Sequence, residues 1–195
     1  MNLCVRVIAT VIIFSMAVFA QPNATTDTPF QVKYAANLAA GDSVFNITNT
    51  GTVGGNICVN VYTFSPDEQL IACCACTVTP NGLVSLSARN DLIVKTLTPA
   101  VPSAIVVKLL STVGGPCNAS APGTLATGLA AWGTTIHAAP GSAAFSVTET
   151  AFTPSSLGGA ELARISALCG FIQTNGSGFG ICNSCRPGAL GGVKL

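Results

Sequence analysis

Charge is what this chain has least of. Lysine, arginine, aspartate and glutamate together make up 8% of its 195 residues, where about 25% is ordinary. Eight basic and seven acidic residues give a formal net charge of +1, and setting aside Arg6 with the leading segment leaves the remainder neutral. So weak a field cannot concentrate a polyanion, so nucleic acid is excluded as a charge-held partner, as is an anionic membrane surface. Histidine is almost missing: His137 stands alone. A hydrolase built on Ser-His-Asp or Cys-His would have to use it, yet no Gly-x-Ser-x-Gly elbow occurs and no serine is singled out. A strand histidine facing solvent is the simpler expectation. Carboxylate pairs are equally scarce, and Asp67-Glu68 reads as a solvated turn. Gly178-Phe179-Gly180 does not lead from a strand into a helix, so it is not read as a phosphate cradle. No catalytic residue is assigned, and the chain is read as leaning away from an enzyme.

Long apolar runs are absent after the first twenty residues, and those residues hold the one that exists. Arg6 precedes an apolar stretch from Val7 to Phe19, and Val18 and Ala20 fit the −3 and −1 places of a cleavage site before Gln21. This is the pattern of a secretory signal peptide over residues 1–20. As a helix the stretch would reach about 20 Å, against a hydrocarbon core of about 30 Å, so removal is expected rather than retention as an anchor. Residues 21–29 read as a flexible leader and 30–195 as a single domain. No transmembrane segment is expected after signal removal. The expected location is secreted, extracellular or cell-surface, with the periplasm also compatible.

Cysteine is plentiful. Of nine cysteines, Cys4 leaves with the signal, and Cys58, Cys73, Cys74, Cys76, Cys117, Cys169, Cys182 and Cys185 remain. An even count in an exported chain is the mark of a disulfide framework, with connectivity left open by sequence. Cys73-Cys74-Ala75-Cys76 is the most specific feature. On a strand, Cys74 and Cys76 share one face and Cys73 takes the other. Side chains two apart on a strand stand nearly 7 Å apart, beyond the roughly 3.5–4.5 Å between Cβ atoms that a disulfide needs. Partners must therefore come from elsewhere in the chain. One arrangement brings the Cys182-x-x-Cys185 tail back over the Cys74/Cys76 face.

Cys73-x-x-Cys76 with Cys182-x-x-Cys185 also has the spacing of a four-thiolate zinc site. Export through an oxidising compartment favours disulfides, so no metal ligand and no cofactor is assigned, and a zinc or small-ligand module is kept as the alternative. A thioredoxin-like role for Cys182-x-x-Cys185 would need the pair at a helix start after a strand, and a glycine-rich segment precedes it instead.

Short alternating segments dominate the rest. Strands are expected at Phe30–Ala36, around Phe45 and Ile47, at Asn56–Phe64, at Gln69–Thr79 and Leu83–Ala88, at Asp91–Leu97, at Ala104–Ser111, at Ala131–Ala138 and at Ala143–Thr150. In the third of these, either Ile57, Val59 and Val61 or Cys58, Asn60 and Tyr62 face inward. Gln69–Thr79 and Leu83–Ala88 are expected to form a hairpin around Pro80-Asn81-Gly82. Ile105–Leu110 is apolar on both faces apart from Lys108, which suits a central strand. Trp132, Thr134 and Ile136 share one face of theirs. One helix is expected, capped by Ser155 or Ser156, with Leu162, Ile165, Leu168, Cys169 and Ile172 as its apolar stripe and Asn175-Gly176 as its end. Thr52-Val53-Gly54-Gly55 recurs as Thr112-Val113-Gly114-Gly115, which is read as coincidence because the flanks do not match. The sum is an all-β, mainly antiparallel β-sandwich with one C-terminal helix, stapled by disulfides.

The stretch Ala40-Gly41-Asp42-Ser43-Val44-Phe45-Asn46-Ile47-Thr48-Asn49-Thr50-Gly51 is similar to the strand–turn–strand signature of bacterial immunoglobulin-like surface repeats. Ser65-Pro66-Asp67-Glu68-Gln69-Leu70, the cysteine cluster, Thr79-Pro80-Asn81-Gly82-Leu83 and the tail from Cys169-Gly170-Phe171-Ile172 through Cys182 and Cys185 resemble a group of uncharacterised exported proteins of soil acidobacteria. That resemblance implies export and a bacterial origin and carries no activity. The expected role is a cell-surface or extracellular structural or adhesive component. Its sparse charge favours self-association or an envelope partner. Phe30–Ala36, behind its leader, could also add to a neighbour's sheet edge, although an ordinary first strand is the simpler expectation.

Overall fold

The computed structural model describes residues 27–139, 141, 143–183 and 185–187. The expected signal, most of the expected leader and the last eight residues lie outside them. The elements in chain order are β1 (Phe30–Ala35), β2 (Val44–Asn49), β3 (Ile57–Phe64), β4 (Leu70–Val78), β5 (Leu83–Ser87), β6 (Ile105–Val113), β7 (Thr124–Leu125), β8 (Leu129–Ala138), β9 (Phe145–Ala151), β10 (Thr153–Pro154), α1 (Gly159–Thr174) and β11 (Arg186–Pro187). One sheet runs β10-β1-β6-β3-β4, with β7 added to the end of β6; the other runs β11-β5-β2-β8-β9. Their ladders are antiparallel. The expected sandwich with one C-terminal helix is what the chain forms.

Why two sheets pack is visible in the alternation. Ile57, Val59 and Val61 of β3 join Val107 and Leu109 of β6 and Phe45, Ile47, Val84 and Leu86 of the facing sheet in one apolar layer. The opposite side of β3 is not solvated either. Tyr62 and Phe64 lie with Phe30, Leu70, Leu110 and Ile165, Cys169 and Ile172 of α1 in a second layer. Both registers left open for β3 are therefore used, because the strand has a sheet on one face and a helix on the other. β6 sits between β1 and β3, the central place its apolar faces call for. β1 is held by β6 and β10 within its own sheet, so it is an ordinary first strand.

Three local expectations are corrected. The turn at Pro80-Asn81-Gly82 forms, with Asn81 at φ 59° and Gly82 N–H donating to the Thr79 carbonyl at 2.8 Å. The flanking strands do not pair as a hairpin: β4 goes to β3 and β5 to β2. Asn49 at the end of β2 captures the crossing chain, its Nδ2 donating to the Val78 carbonyl at 3.0 Å and its own carbonyl accepting from Asn81 N–H at 2.8 Å. That clasp steers Val84 and Leu86 to the far side of the core.

Asp91–Leu97 is not a strand. The Asp91 carboxylate accepts from Ser87 N–H at 2.7 Å and Ser87 Oγ accepts from Asn90 N–H at 2.9 Å, winding Ala88–Leu92 into one wide helical turn. Short polar side chains that bond to nearby backbone compete in this way with a ladder. Finally, α1 starts at Gly159 behind Gly158, with no side-chain cap. Ser155 lies three residues before that cap and is held in the β10 pairing instead, its N–H donating to the Phe30 carbonyl at 3.0 Å and its hydroxyl to the Thr153 carbonyl at 3.3 Å. The stripe of Ile165, Cys169 and Ile172 is buried as expected, and the helix ends at Asn175 with Gly176 at φ 69°.

Candidate functional site

The cysteines converge on β4 and its neighbours. Alternation on β4 turns Cys73 toward α1 and turns Cys74 and Cys76 toward the sandwich side. Cys73 bonds to Cys169 at a Cα separation of 5.9 Å, Cys74 to Cys182 at 5.5 Å, and Cys76 to Cys185 at 5.7 Å. Cys58 of β3 bonds to Cys117 in the loop after β6 at 5.2 Å. All four separations fall in the range a disulfide spans without backbone movement. The eight cysteines singled out by sequence are thus brought together in pairs, and the tail returns over the Cys74/Cys76 face.

The bonds divide the labour. Cys73–Cys169 pins α1 onto the outer face of its sheet. Cys74–Cys182 and Cys76–Cys185 hold the tail against β4, where Cys73 N–H also donates to the Gly180 carbonyl at 2.8 Å and Cys182 N–H to the Cys73 carbonyl at 3.3 Å. These two bridges close 108 and 109 residues of chain, and a loop of about a hundred residues is worth up to about 4.7 kcal/mol per bridge in the chain-entropy model. Cys58 and Cys117 follow the two Thr-Val-Gly-Gly segments, which occupy unlike places. One is the turn before β3 and the other the end of β6, as unrelated recurrences would be.

A charged cluster escaped sequence reasoning. Lys108 Nζ meets Glu161 Oε1 at 2.7 Å, and Arg164 Nε meets Glu161 Oε2 at 2.8 Å. Both cations lie over the Phe64 ring, at 4.6 and 5.5 Å from its centroid. The Arg164 hydrogen bond foremost, and Lys108 after it, hold the Glu161 carboxyl down at about 2. The signal was Lys108 itself, the single charge on an otherwise apolar strand, which implies a counter-charge on whatever covers it. Tyr62, buried in the same layer, donates its hydroxyl to the Ala119 carbonyl at 2.7 Å, and burial pushes that phenol up.

The remaining candidates are spread apart. His137 is exposed on β8, its Nε2 2.8 Å from Thr148 Oγ1 across the β8–β9 hairpin. Asp67 sits in the β3–β4 turn, bonded to Ser65 and to Gln69 Nε2. Gly178 and Gly180 lie in the loop after α1 with φ of 75° and 77°. Among the described residues, no group of free His, Cys, Asp or Glu side chains is placed to hold a metal, and no helix is long and apolar enough to cross a membrane. No family model, no curated protein and no solved structure matches the chain.

Proposed function

We propose that this protein is an exported structural or adhesive component of the cell surface or extracellular space, a domain whose task is to present a durable surface rather than to turn over a substrate. The observation that carries this is the pairing of all eight cysteines after Cys4 into bonds between separate elements. Such a framework persists where thiols are oxidised, outside the cytoplasm. The first twenty residues, with the charge–apolar–small order of a signal peptide, support the same route. So does the resemblance to exported acidobacterial proteins. Two packed antiparallel sheets support reading the domain as immunoglobulin-like, an architecture that displays its loops and edges for contact.

The experiment is fractionation of the producing cells followed by electron microscopy of the native material. Recovery from the envelope or the medium, with Gln21 as the first residue, is expected. A cytoplasmic protein that retains residues 1–20 would contradict it.

One observation favours a second reading. The expected pairing of Cys73-x-x-Cys76 with Cys182-x-x-Cys185 is not available to a metal, because Cys73 faces α1 and bonds Cys169. Cys74, Cys76, Cys182 and Cys185, however, are joined along one stretch of β4, and these four thiols, if reduced, would supply the donor set of a four-thiolate zinc site. Metal analysis of protein purified without chelator separates the two, because stoichiometric zinc replaces the two tail disulfides and their absence from the mass balance follows.

A further inference from the structure

The terminal strand of a sheet presents a row of unpaired N–H and C=O groups, and proteins that stay monomeric blunt it with short strands, lysine, proline, bulges or a covering segment. Three of the four sheet ends here are treated in that way. The first sheet ends in β10, two residues long, and its other end, β4, is overlaid by the tail at Gly180–Cys182 and by Leu97, whose N–H donates to the Ile71 carbonyl at 3.0 Å. The second sheet ends on one side in β11, also two residues.

The fourth end is β9, and it is treated differently. All seven of its residues are exposed, and among the described residues β8 is its one strand partner. It contains neither proline nor lysine, and its register runs unbroken from Trp132 opposite Ala151 to Ala138 opposite Phe145. Phe145 and Val147 stand half exposed, and Trp132 of β8, 41% exposed, is on the same face of the hairpin by the pairing register. The strand is also firmly placed, since Lys33 Nζ donates to Thr150 Oγ1 from the opposite sheet.

We propose that β9 is a docking edge for a second copy of this chain, the two β9 strands pairing antiparallel about a two-fold axis so that two sheets become one. This rests on the reading of the protein as a structural component and names the contact by which it would build. A second copy fits for three reasons. An antiparallel edge pair is self-complementary, the requirement of a two-fold interface. The chain beyond Arg6 is formally neutral and Glu149 is the sole charge in β9, so a single like-charge pair is all that opposes the approach of a second copy. The free groups are backbone donors and acceptors that only another extended strand satisfies along its length, with Phe145 and Val147 adding apolar contact. A single seven-residue edge falls short of the roughly 1,000 Å² of a tight interface, so association in the micromolar range is expected.

The test is sedimentation velocity of the mature protein from about 1 to 500 µM, spanning the affinities such an interface supports. A dimer that grows with concentration is expected, together with rising hydrogen-exchange protection of β9 amides. Val147→Lys, at a site exposed by half, is expected to weaken association at least about tenfold, the effect of roughly 1.4 kcal/mol. Val101→Lys, 65% exposed in a loop far from β9 in sequence, is expected to leave association unchanged. Blocked cysteines in both variants certify that each is folded. A wild-type protein that stays monomeric, a Val147→Lys variant that associates as before, equal loss in both variants, or open-ended polymers would overturn the proposal. Fractionation judges the functional reading separately. An envelope or extracellular protein that stays monomeric defeats only the β9 contact, whereas a cytoplasmic protein with free thiols defeats the reading itself.

Discussion

Tyr62 carries a hydroxyl into the apolar layer between β3 and α1, and the Ala119 carbonyl is there to accept it. Removing only the oxygen leaves that carbonyl without its donor, and Tyr62→Phe is expected to lower unfolding free energy by about 1–2 kcal/mol, read from urea titration. Glu161 makes a pH prediction. Its carboxyl lies near 2 instead of the ordinary 4.5, because Arg164 and then Lys108 bond to its charged form. A depressed carboxyl adds stability that is complete above about pH 4.5 and disappears as pH falls toward 2. Glu161→Gln should therefore flatten the urea midpoint across that window while costing under about 1 kcal/mol at neutrality, since the cluster is partly solvated. Gly180 is the third residue of this kind. Its φ is 77° and a Cβ there would stand 2.8 Å from Ile172 Cγ2, so Gly180→Ala is expected to cost 1 kcal/mol or more, roughly the scale of strain at such a backbone. A melting temperature equal to wild type would contradict it.

β4 shows what a sequence can and cannot settle about an element. Strand alternation alone separates Cys73 from Cys74 and Cys76, and the bonds obey it: Cys73 is joined to α1, the other two to the tail. The partner of β4 was not legible. Pro80-Asn81-Gly82 reverses the chain equally well whether its strands pair or part, and the deciding clasp comes from Asn49, about thirty residues earlier. Asp91–Leu97 misled for a related reason, since its strand-like pattern was overridden by the side-chain bonds of Ser87 and Asp91. The helix start failed because Ser155 was already bound to β1. Within the site, every paired cysteine was visible as a residue type, and the Lys108–Glu161–Arg164 cluster was not, because its charges lie on two elements far apart in the chain. Replacing Cys73 and Cys169 together by alanine is expected to cost about 2–5 kcal/mol and to expose α1 to proteolysis first, as judged by limited digestion.

At the scale of the whole molecule, a weakly charged surface and a cysteine framework belong together. Burial in two layers on either side of one sheet supplies the core, and cross-links restrict the unfolded chain in a domain with few ion pairs to add. With so few charges, little electrostatic repulsion keeps copies apart at β9, where Glu149 is the one charged residue. Durable shape and contact through edges suit the structural role proposed above. All of it depends on sulfur chemistry. Digesting the native protein without reduction and identifying the joined peptides by mass tests that dependence most directly. Four linkages are expected, Cys58–Cys117, Cys73–Cys169, Cys74–Cys182 and Cys76–Cys185, with the intact mass rising by eight hydrogens on reduction. Unchanged mass with every thiol open to alkylation, or four sulfurs holding zinc in place of the tail bridges, would contradict the account.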